Sequence, residues 1–239
     1  MHREMVSVIR PVDGKESCTP FMSIATSTKA ALTGTIGQVT VSPLPYPLRL
    51  TGTGVVLREW RWEDLDDLVA LLDEPGIARW TLMPSPFDVE AGLAYLRRAQ
   101  QGRIGGSRIQ LAITTDGGRP LGEVLLFNVR PEAPEAELGY LIGLPYRRRG
   151  LASAALSLLS TYAFDTLALR RLLLRIDRGN TASTSVARRC GYRPAAEPPI
   201  QQDGPYGPAT LDTWEYVENR SAPQDDRRKN VASRRYGRR

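Results

Sequence analysis

The sequence predicts an α/β fold in which helices cover a mixed, mostly antiparallel sheet. Two patterns support this prediction. First, three strand-like segments follow one another between residues 109 and 142, joined by a tight turn at 116–118 and a proline-containing loop at 131–134, which is typical of an antiparallel meander. Second, the third strand leads into a helix with one apolar face and then into a short apolar strand at 172–176. Such a βαβ unit places its two strands parallel.

The segments before the meander predict one strand and two helices. Residues 48–57 have a strand pattern, which is interrupted by threonines and glycines. Leucines at helical spacing, with acidic residues in the first turn, predict a helix over 62–72 that ends at Pro75-Gly76. Asp88 is the expected N-cap of a second, longer helix. Three tryptophans nearby contribute either to packing or to recognition of a substrate: Trp60, Trp62 and Trp80.

The segments after the meander complete the fold. Asn180 or Thr181 is expected to cap a final helix, and Gly191 is expected to end it in the left-handed conformation. Residues 211–217 alternate enough to predict a last strand. The helix of the βαβ unit has its apolar face on Leu151, Ala155, Leu158, Leu159, Tyr162 and Ala163.

We predict one domain, over residues 48–219. Residues 1–47 lack sustained periodicity and predict a mostly disordered extension, or an incorrectly extended start. The formal net charge of the chain is +6, and the segment 220–239 contains eight basic and two acidic residues, so the whole surplus belongs to this tail. Such a tail is expected to be solvated and disordered, and contact with RNA, the ribosome or another acidic partner is the alternative.

The composition excludes several classes of protein. No apolar run approaches the roughly 18 residues that a membrane span requires, and the start lacks the apolar core of a signal peptide. We expect a soluble, cytoplasmic protein without a membrane partner. Its two cysteines, Cys18 and Cys190, do not predict a disulfide framework. With His2 as the one histidine, a histidine-dependent triad or a histidine-rich metal site is not expected, and we expect no metal.

The turn between the third meander strand and its helix predicts a binding site for a pyrophosphate. The first N–H groups of a helix have no partner within the helix and lie at its positive end, where phosphates bind. A glycine leaves such amides accessible, and arginines add charge and bidentate donors. Both features occur in the segment Arg147, Arg148, Arg149, Gly150, Leu151 and Ala152.

This segment resembles the phosphate-binding signature of the GNAT N-acetyltransferase superfamily, which is Arg or Gln, two residues, Gly, one residue, then Gly or Ala. Three further pieces, in the same order along the chain, resemble the subgroup that contains the ribosomal-protein alanine N-acetyltransferases. They are Glu137-Leu138-Gly139-Tyr140, the stretch from Tyr162 to Leu172, and Asn180-Thr181-Ala182-Ser183 followed by Cys190-Gly191-Tyr192. Four ordered pieces in one strand–helix–strand–helix frame are much more specific than a single turn.

The resemblance implies a GNAT-like sheet in which two neighbouring parallel strands splay apart, with helices on both faces. It implies acetyl-CoA as co-substrate, with its pantetheine arm in the gap between the strands. Backbone groups of Ile142 and Gly143 would hydrogen-bond the arm, and Asn180 would contact it from the other side or serve only as a helix cap. The amides from Arg148 to Ala152 would bind the pyrophosphate, and arginine side chains would reach the 3′-phosphate.

The resemblance also implies a direct attack of an amine on the thioester. Glu137 is the expected general base, acting directly or through water, or it is simply an exposed strand carboxylate. Many family members place a tyrosine on the last helix to protonate the leaving thiolate, but that position is Ala187 here. Ser183 is the expected replacement, although it serves equally well as a cap or as a cofactor contact. Glu197 and Asp203 are further candidate carboxylates.

The leading hypothesis is therefore an N-acetyltransferase that transfers the acetyl group of acetyl-CoA to a primary amine. The acceptor would be a protein N-terminus or a small molecule, and the enzyme a monomer or a homodimer. A non-catalytic acyl-CoA-binding sensor or partner module is the alternative, because the usual tyrosine acid is missing.

Overall fold

The computed structural model describes residues 44–52, 54–129, 133–204 and 207–218. The predicted extension and basic tail lie almost entirely outside these residues, although Leu44, within the predicted extension, is buried in the core. The helices are α1 (Leu65–Leu72), α2 (Pro75–Trp80), α3 (Val89–Ile104), α4 (Leu151–Asp165) and α5 (Thr181–Arg189). The strands are β1 (Arg49–Gly52), β2 (Val55–Glu59), β3 (Arg108–Thr114), β4 (Gly122–Phe127), β5 (Glu135–Ile142), β6 (Arg171–Asp177), β7 (Arg193–Pro194), β8 (Ile200–Gly204) and β9 (Gly207–Val217).

In the described part of the chain, these strands form one sheet in the order β1-β2-β3-β4-β5-β6-β9-β7, with β8 paired to β9. The predicted meander and βαβ unit are confirmed, since β3, β4 and β5 are antiparallel neighbours and β5 and β6 are parallel. Every other neighbouring pair in the described sheet is antiparallel. The mixed, mostly antiparallel sheet is therefore as predicted.

The parallel strands β5 and β6 separate after three paired positions. Paired residues run only from Glu135–Arg171 to Glu137–Leu173, although β5 continues to Ile142. Strand β6, by contrast, pairs with β9 along its whole length, from Arg171–Val217 to Asp177–Leu211. Beyond Glu137, β5 follows β4 while β6 follows β9, and a gap opens between them. This is the splayed strand pair that the resemblance implies.

Helices cover both faces of the sheet because side chains alternate along each strand. Helices α4 and α5 pack on one face, where Leu111, Leu126, Leu138 and Leu172 belong to the larger apolar cluster. Helices α1, α2 and α3 lie on the opposite face with a smaller cluster that includes Leu141 of β5. None of the helices in the described residues is long and apolar enough to cross a membrane.

Two local predictions need correction. The helix over 62–72 is a 3₁₀ turn at Trp62–Asp64 followed by α1, and Pro75 does not end it but begins α2 at a first-turn position. Proline is tolerated there because the first N–H groups of a helix have no helical partner. Residues 200–204 form a strand that the sequence did not predict, because aspartate and glycine are weak strand formers, and here the segment pairs with β9.

A buried carboxylate ties α3 to the sheet. Glu123 of β4 is fully buried and accepts hydrogen bonds from Trp60 Nε1 (2.7 Å), Gln110 Nε2 (3.0 Å) and the Tyr95 hydroxyl (2.5 Å). Burial raises the pKa of Glu123, while the three donors oppose that rise. The carboxylate thus joins α3, β3 and β4 with the residue that follows β2.

We expect Glu123→Ala to lower the free energy of unfolding by about 2–4 kcal/mol, because three buried donors lose their acceptor. Urea unfolding followed by circular dichroism measures the change. The control is Glu63→Ala, at an exposed position near the same tryptophan, which is expected to stay within about 0.5 kcal/mol of the wild type. Equal stabilities of the two variants would contradict a structural role for the Glu123 network.

Candidate functional site

The turn before α4 has the geometry of an anion site. Arg148 and Gly150 both adopt left-handed backbone conformations, with φ of 64° and 76°. A Cβ atom on Gly150 would meet no heavy atom within 4 Å, so the space beside it is open. The first helical hydrogen bond is from Ala154 N–H to Gly150 O (3.0 Å), so the preceding N–H groups have no acceptor within the helix. Successive amides in such a turn at a positive helix end form a concave anion-binding surface.

The three arginines of this turn do not have the same environment. Arg148 and Arg149 are exposed, and Arg149 Nη2 donates to Pro145 O (3.1 Å). The Arg147 side chain is only 6% exposed; its Nε donates to Ile142 O (2.9 Å) and its Nη2 forms an ion pair with Glu74 next to α2. Arg147 therefore braces the turn from inside, and only its two neighbours present side chains to solvent.

The backbone of β5 shows which groups face the gap. Gly143 N–H donates to Leu121 O (3.0 Å) and Gly143 O accepts from Tyr146 N–H (2.9 Å), so the expected contact of Gly143 with a pantetheine arm does not fit this structure. Backbone groups alternate sides along a strand. Because Gly143 N–H points to β4, the backbone groups of Tyr140 and Ile142 point to the side of the gap, where Arg147 Nε already donates to Ile142 O. The resemblance missed Tyr140, which only the register reveals.

The start of α5 is tied to β5 on the face that carries α4. Asn180, 2% exposed, caps the helix by accepting from Ser183 N–H through its Oδ1 (3.0 Å), as predicted. The Tyr140 hydroxyl donates to Ser183 O (3.0 Å), which joins β5 to α5 beyond the point where β5 and β6 separate. Ser183 is fully buried, as is Ala187 at the position of the family's usual tyrosine.

Glu137 lies at the start of the gap, on the face that carries α1 to α3. It is 4% exposed, so the alternative of an exposed strand carboxylate is wrong. Arg175 Nη2 lies 3.5 Å from Glu137 Oε1, and Arg175 Nη1 donates to Thr213 Oγ1 of β9. Arg175 lies two residues beyond Leu173, the last residue of β6 that pairs with β5. Its side chain therefore extends back across the gap to Glu137. The sequence did not single out this arginine, because its closeness to Glu137 depends on the β5–β6 register.

The other two candidate carboxylates, Glu197 and Asp203, do not lie beside Glu137 at the gap. Glu197 forms an ion pair with Arg171 Nη2, and Arg171 also contacts Glu135 (3.3 Å) and Glu215 (2.9 Å), so Glu197 belongs to an ion-pair cluster at the start of β6. Asp203 is an exposed residue of β8. Within the described ranges, no group of three or more His, Cys, Asp or Glu residues is arranged to hold a metal ion.

Comparison with known proteins identifies the family. The model of the family described as Acetyltransferase (GNAT) domain matches residues 55–193, more than half of the 239-residue chain. The chain therefore belongs to the GNAT acetyltransferase family.

A curated relative from Bacillus subtilis, "Putative ribosomal N-acetyltransferase YdaF", is 33% identical over 84 residues. The match spans 35% of this chain and 45% of the relative, so the chain matches less than half of that protein's length. This likeness supports the resemblance to the ribosomal-protein subgroup.

Solved structures share the fold. One is "Structure of a putative ribosomal-protein-serine acetyltransferase from Vibrio cholerae", with a TM-score of 0.62 and 19% identity, covering 72% of this chain and 98% of that one. Another is Mycobacterium smegmatis RimJ in complex with CoA-disulfide, with a TM-score of 0.62 and 21% identity, covering 70% of this chain and 87% of that one. At these identities the likeness shows the fold alone, and it confirms the GNAT-like sheet.

We expect Tyr140→Phe to lower the free energy of unfolding by about 1 kcal/mol, because it removes the hydroxyl that donates to Ser183 O. Chemical denaturation measures this loss. Tyr162→Phe is the matched control, since the buried Tyr162 hydroxyl has no hydrogen-bond partner among the described residues. Its removal is expected to be neutral or slightly stabilising. A loss for Tyr140→Phe no greater than the control's would show that the bond across the gap contributes nothing.

Proposed function

We propose that this protein transfers the acetyl group of acetyl-CoA to a primary amine by direct attack. The observation that carries the proposal is the combination, at the carboxyl end of β5, of an open turn before α4 and a gap between two parallel strands. Family membership supports the acyltransferase class. The complex of RimJ with CoA-disulfide supports a coenzyme A derivative as the co-substrate.

The chain offers a distinct group for each part of acetyl-CoA. The amides from Arg148 to Ala152 bind the pyrophosphate, and the arginine side chains of this turn reach the 3′-phosphate. The gap accepts the pantetheine arm, whose amides pair with backbone groups of β5 as an added strand would. In the register of β4 and β5, these groups belong to Tyr140 and Ile142. Asn180 contacts the arm from α5 in addition to capping that helix.

Acetyl transfer takes place beside Glu137, where β5 and β6 begin to separate. Acetyl-CoA supplies a thioester, whose carbonyl carbon forms the new bond to nitrogen as its bond to sulfur breaks. The attacking amine must be neutral, and a free α-amine with a pKa of about 8 loses its proton far more readily than a lysine-type amine with a pKa of about 10.4. Glu137 takes up the amine proton directly or through water, and Arg175 orients its carboxylate. Ser183 is the candidate donor to the leaving thiolate.

The acceptor that fits best is the α-amine of a protein N-terminus. Names of similar proteins support it, since YdaF and the Vibrio cholerae protein are both named for ribosomal acceptors. A small-molecule amine is the other acceptor class. We place the enzyme in the cytoplasm, as a monomer or homodimer, and the basic tail is available for a ribosome or RNA contact.

Ala187, in place of the usual tyrosine acid, favours a second candidate function. Without that acid the protein would be a sensor or partner module that binds acyl-CoA and does not turn it over. Coenzyme A release with a panel of peptides and small amines distinguishes the two functions. Acetyl-CoA binding without release on any amine would support the sensor, and amine-dependent release supports the enzyme.

We expect Gly150→Glu to eliminate measurable acetyl-CoA binding in titration calorimetry, because the new side chain fills the open space and repels the phosphates. A matched control separates this effect from backbone strain. Gly54 in the β1–β2 turn has φ of 77° and no heavy atom within 4 Å of a built Cβ, so Gly54→Glu carries similar strain. We expect the control to retain full affinity. Wild-type affinity in Gly150→Glu would rule out the proposed cradle.

We expect Glu137→Gln to lower kcat/KM for the amine by about 10²–10⁴-fold, the usual contribution of a general base, with little change in acetyl-CoA affinity. Steady-state kinetics between pH 6 and 9 measure this loss. Glu197→Gln is the control, because it removes the other candidate carboxylate from its ion pair with Arg171. Its activity is expected to stay within about twofold of the wild type. A larger loss of kcat/KM in Glu197→Gln than in Glu137→Gln would indicate that Glu197 is the base and Glu137 is not.

A further inference from the structure

The sheet face that carries Glu137 also carries charged side chains of β6 and β9. Directly paired residues point to the same face of a sheet, as do residues two apart along one strand. Glu137 of β5 pairs with Leu173 of β6, which pairs in turn with Glu215 of β9. Arg175 lies two residues beyond Leu173 and pairs with Thr213 of β9. Arg175 therefore has two carboxylates as diagonal neighbours on this face, one on each side.

One of these two carboxylates, Glu215, already has two other arginines as partners. Arg171 contacts Glu215 Oε2 through both Nε and Nη2, each at 2.9 Å, and Arg193 Nε lies 3.4 Å from Glu215 Oε1. A third arginine at Glu215 would be repelled by the first two, because like charges at short range disfavour each other. This distribution of charge favours the direction that Arg175 takes, toward Glu137.

Thr213 provides a fixed contact on the other side of Arg175. It is 2% exposed, and its Oγ1 accepts a hydrogen bond from Arg175 Nη1. The second terminal nitrogen, Arg175 Nη2, lies 3.5 Å from Glu137 Oε1. Because the guanidinium is a rigid planar fork, fixing one terminal nitrogen also restricts the direction of the other. The Thr213 hydroxyl thus directs Nη2 to the gap.

The direction of this guanidinium matters because the pair has little contact with solvent. The Arg175 side chain is 14% exposed and the Glu137 side chain is 5% exposed, so salt and water screen their interaction less than at the surface. An arginine side chain keeps its proton in proteins, so its charge is permanent. What the surrounding residues can set is where that charge points.

We propose that Thr213 is a positioning residue for acetyl transfer, which holds the Arg175 guanidinium so that it faces Glu137 and not Glu215. This inference rests on the proposed function, in which Glu137 takes up the proton of the attacking amine. Thr213 acts through Arg175. Strand β9 therefore contributes to the chemistry at the gap as well as to the pairing of β6.

Two substitutions at Thr213 test this role in the full chain. Thr213→Val removes the hydroxyl at nearly the same volume, and we expect it to lower kcat for the amine about tenfold, which corresponds to one hydrogen bond to a charged group. Thr213→Ser retains the hydroxyl and is expected to keep kcat within about threefold of the wild type, with the KM for acetyl-CoA unchanged in both variants. Equal kcat values for the valine and serine variants would overturn the proposal.

Thr114→Val is the matched control for a purely structural effect. Thr114 of β3 is fully buried, and its Oγ1 donates to Val56 O (2.9 Å), two strands away from β5. We expect this variant to unfold at a lower urea concentration but to keep kcat within about twofold of the wild type. A loss of kcat in Thr114→Val as large as in Thr213→Val would attribute both losses to stability and would overturn the proposal.

Double variants show whether Thr213 acts through Arg175. In an Arg175→Met background, Thr213→Val is expected to cause no further loss of kcat, because the interaction is already absent. A full additional loss would overturn the proposal. A normal kcat in Thr213→Val, together with a slow Glu137→Gln, would reject the positioning role alone. Wild-type activity in Glu137→Gln would instead reject the proposed base, and this inference with it.

A crystal structure of Thr213→Val provides a readout that does not depend on turnover. We expect the Arg175 guanidinium to turn away from Glu137 and toward Glu215 when the hydroxyl is absent. A guanidinium that keeps its place beside Glu137 in this variant would overturn the proposal.

Discussion

Strand β6 has two neighbours, and its unequal pairing with them shapes the molecule. It shares seven paired positions with β9, from Arg171 to Asp177, but only three with β5. A sheet is stabilised through its ladder of hydrogen bonds and its cross-strand side-chain pairs, so β6 follows the partner with the longer ladder. The gap beside β5 accompanies this pairing, since the four residues of β6 from Leu174 to Asp177 pair with β9 and not with β5.

A gap inside a sheet exposes polar backbone groups and requires support on both faces. On one face the Tyr140 hydroxyl reaches Ser183 O in α5, and on the other face Arg175 reaches Glu137. At the end of β5, Arg147 bonds Ile142 O and pairs with Glu74. These contacts tie β5 to α5, to β6 and to the residue before α2.

Buried polar groups also organise the half of the sheet that lies away from the gap. Glu123 collects donors from three different elements, and the same arrangement leaves one oxygen of Gln110 without a partner in the described structure. Buried polar groups thus lie in two regions of the sheet, one at the gap and one around β4. Each region depends on a carboxylate, Glu137 or Glu123, that is buried because a helix or an arginine covers it.

Local patterns in the sequence were sufficient for most of the elements and for the place of the turn before α4. Asp88 and Asn180 cap helices as predicted, Gly150 has the left-handed backbone that its place before α4 requires, and the meander and crossover have the predicted order. These features depend on residues close in the chain, so short-range chemistry specifies them.

Contacts between segments distant in the chain could not be predicted from the sequence. The pairing of Arg175 with Glu137, the inward side chain of Arg147, the strand at 200–204 and the occupied amide of Gly143 all depend on register and packing across segments. A one-residue change in register reverses which groups face the gap, and no local pattern encodes that choice.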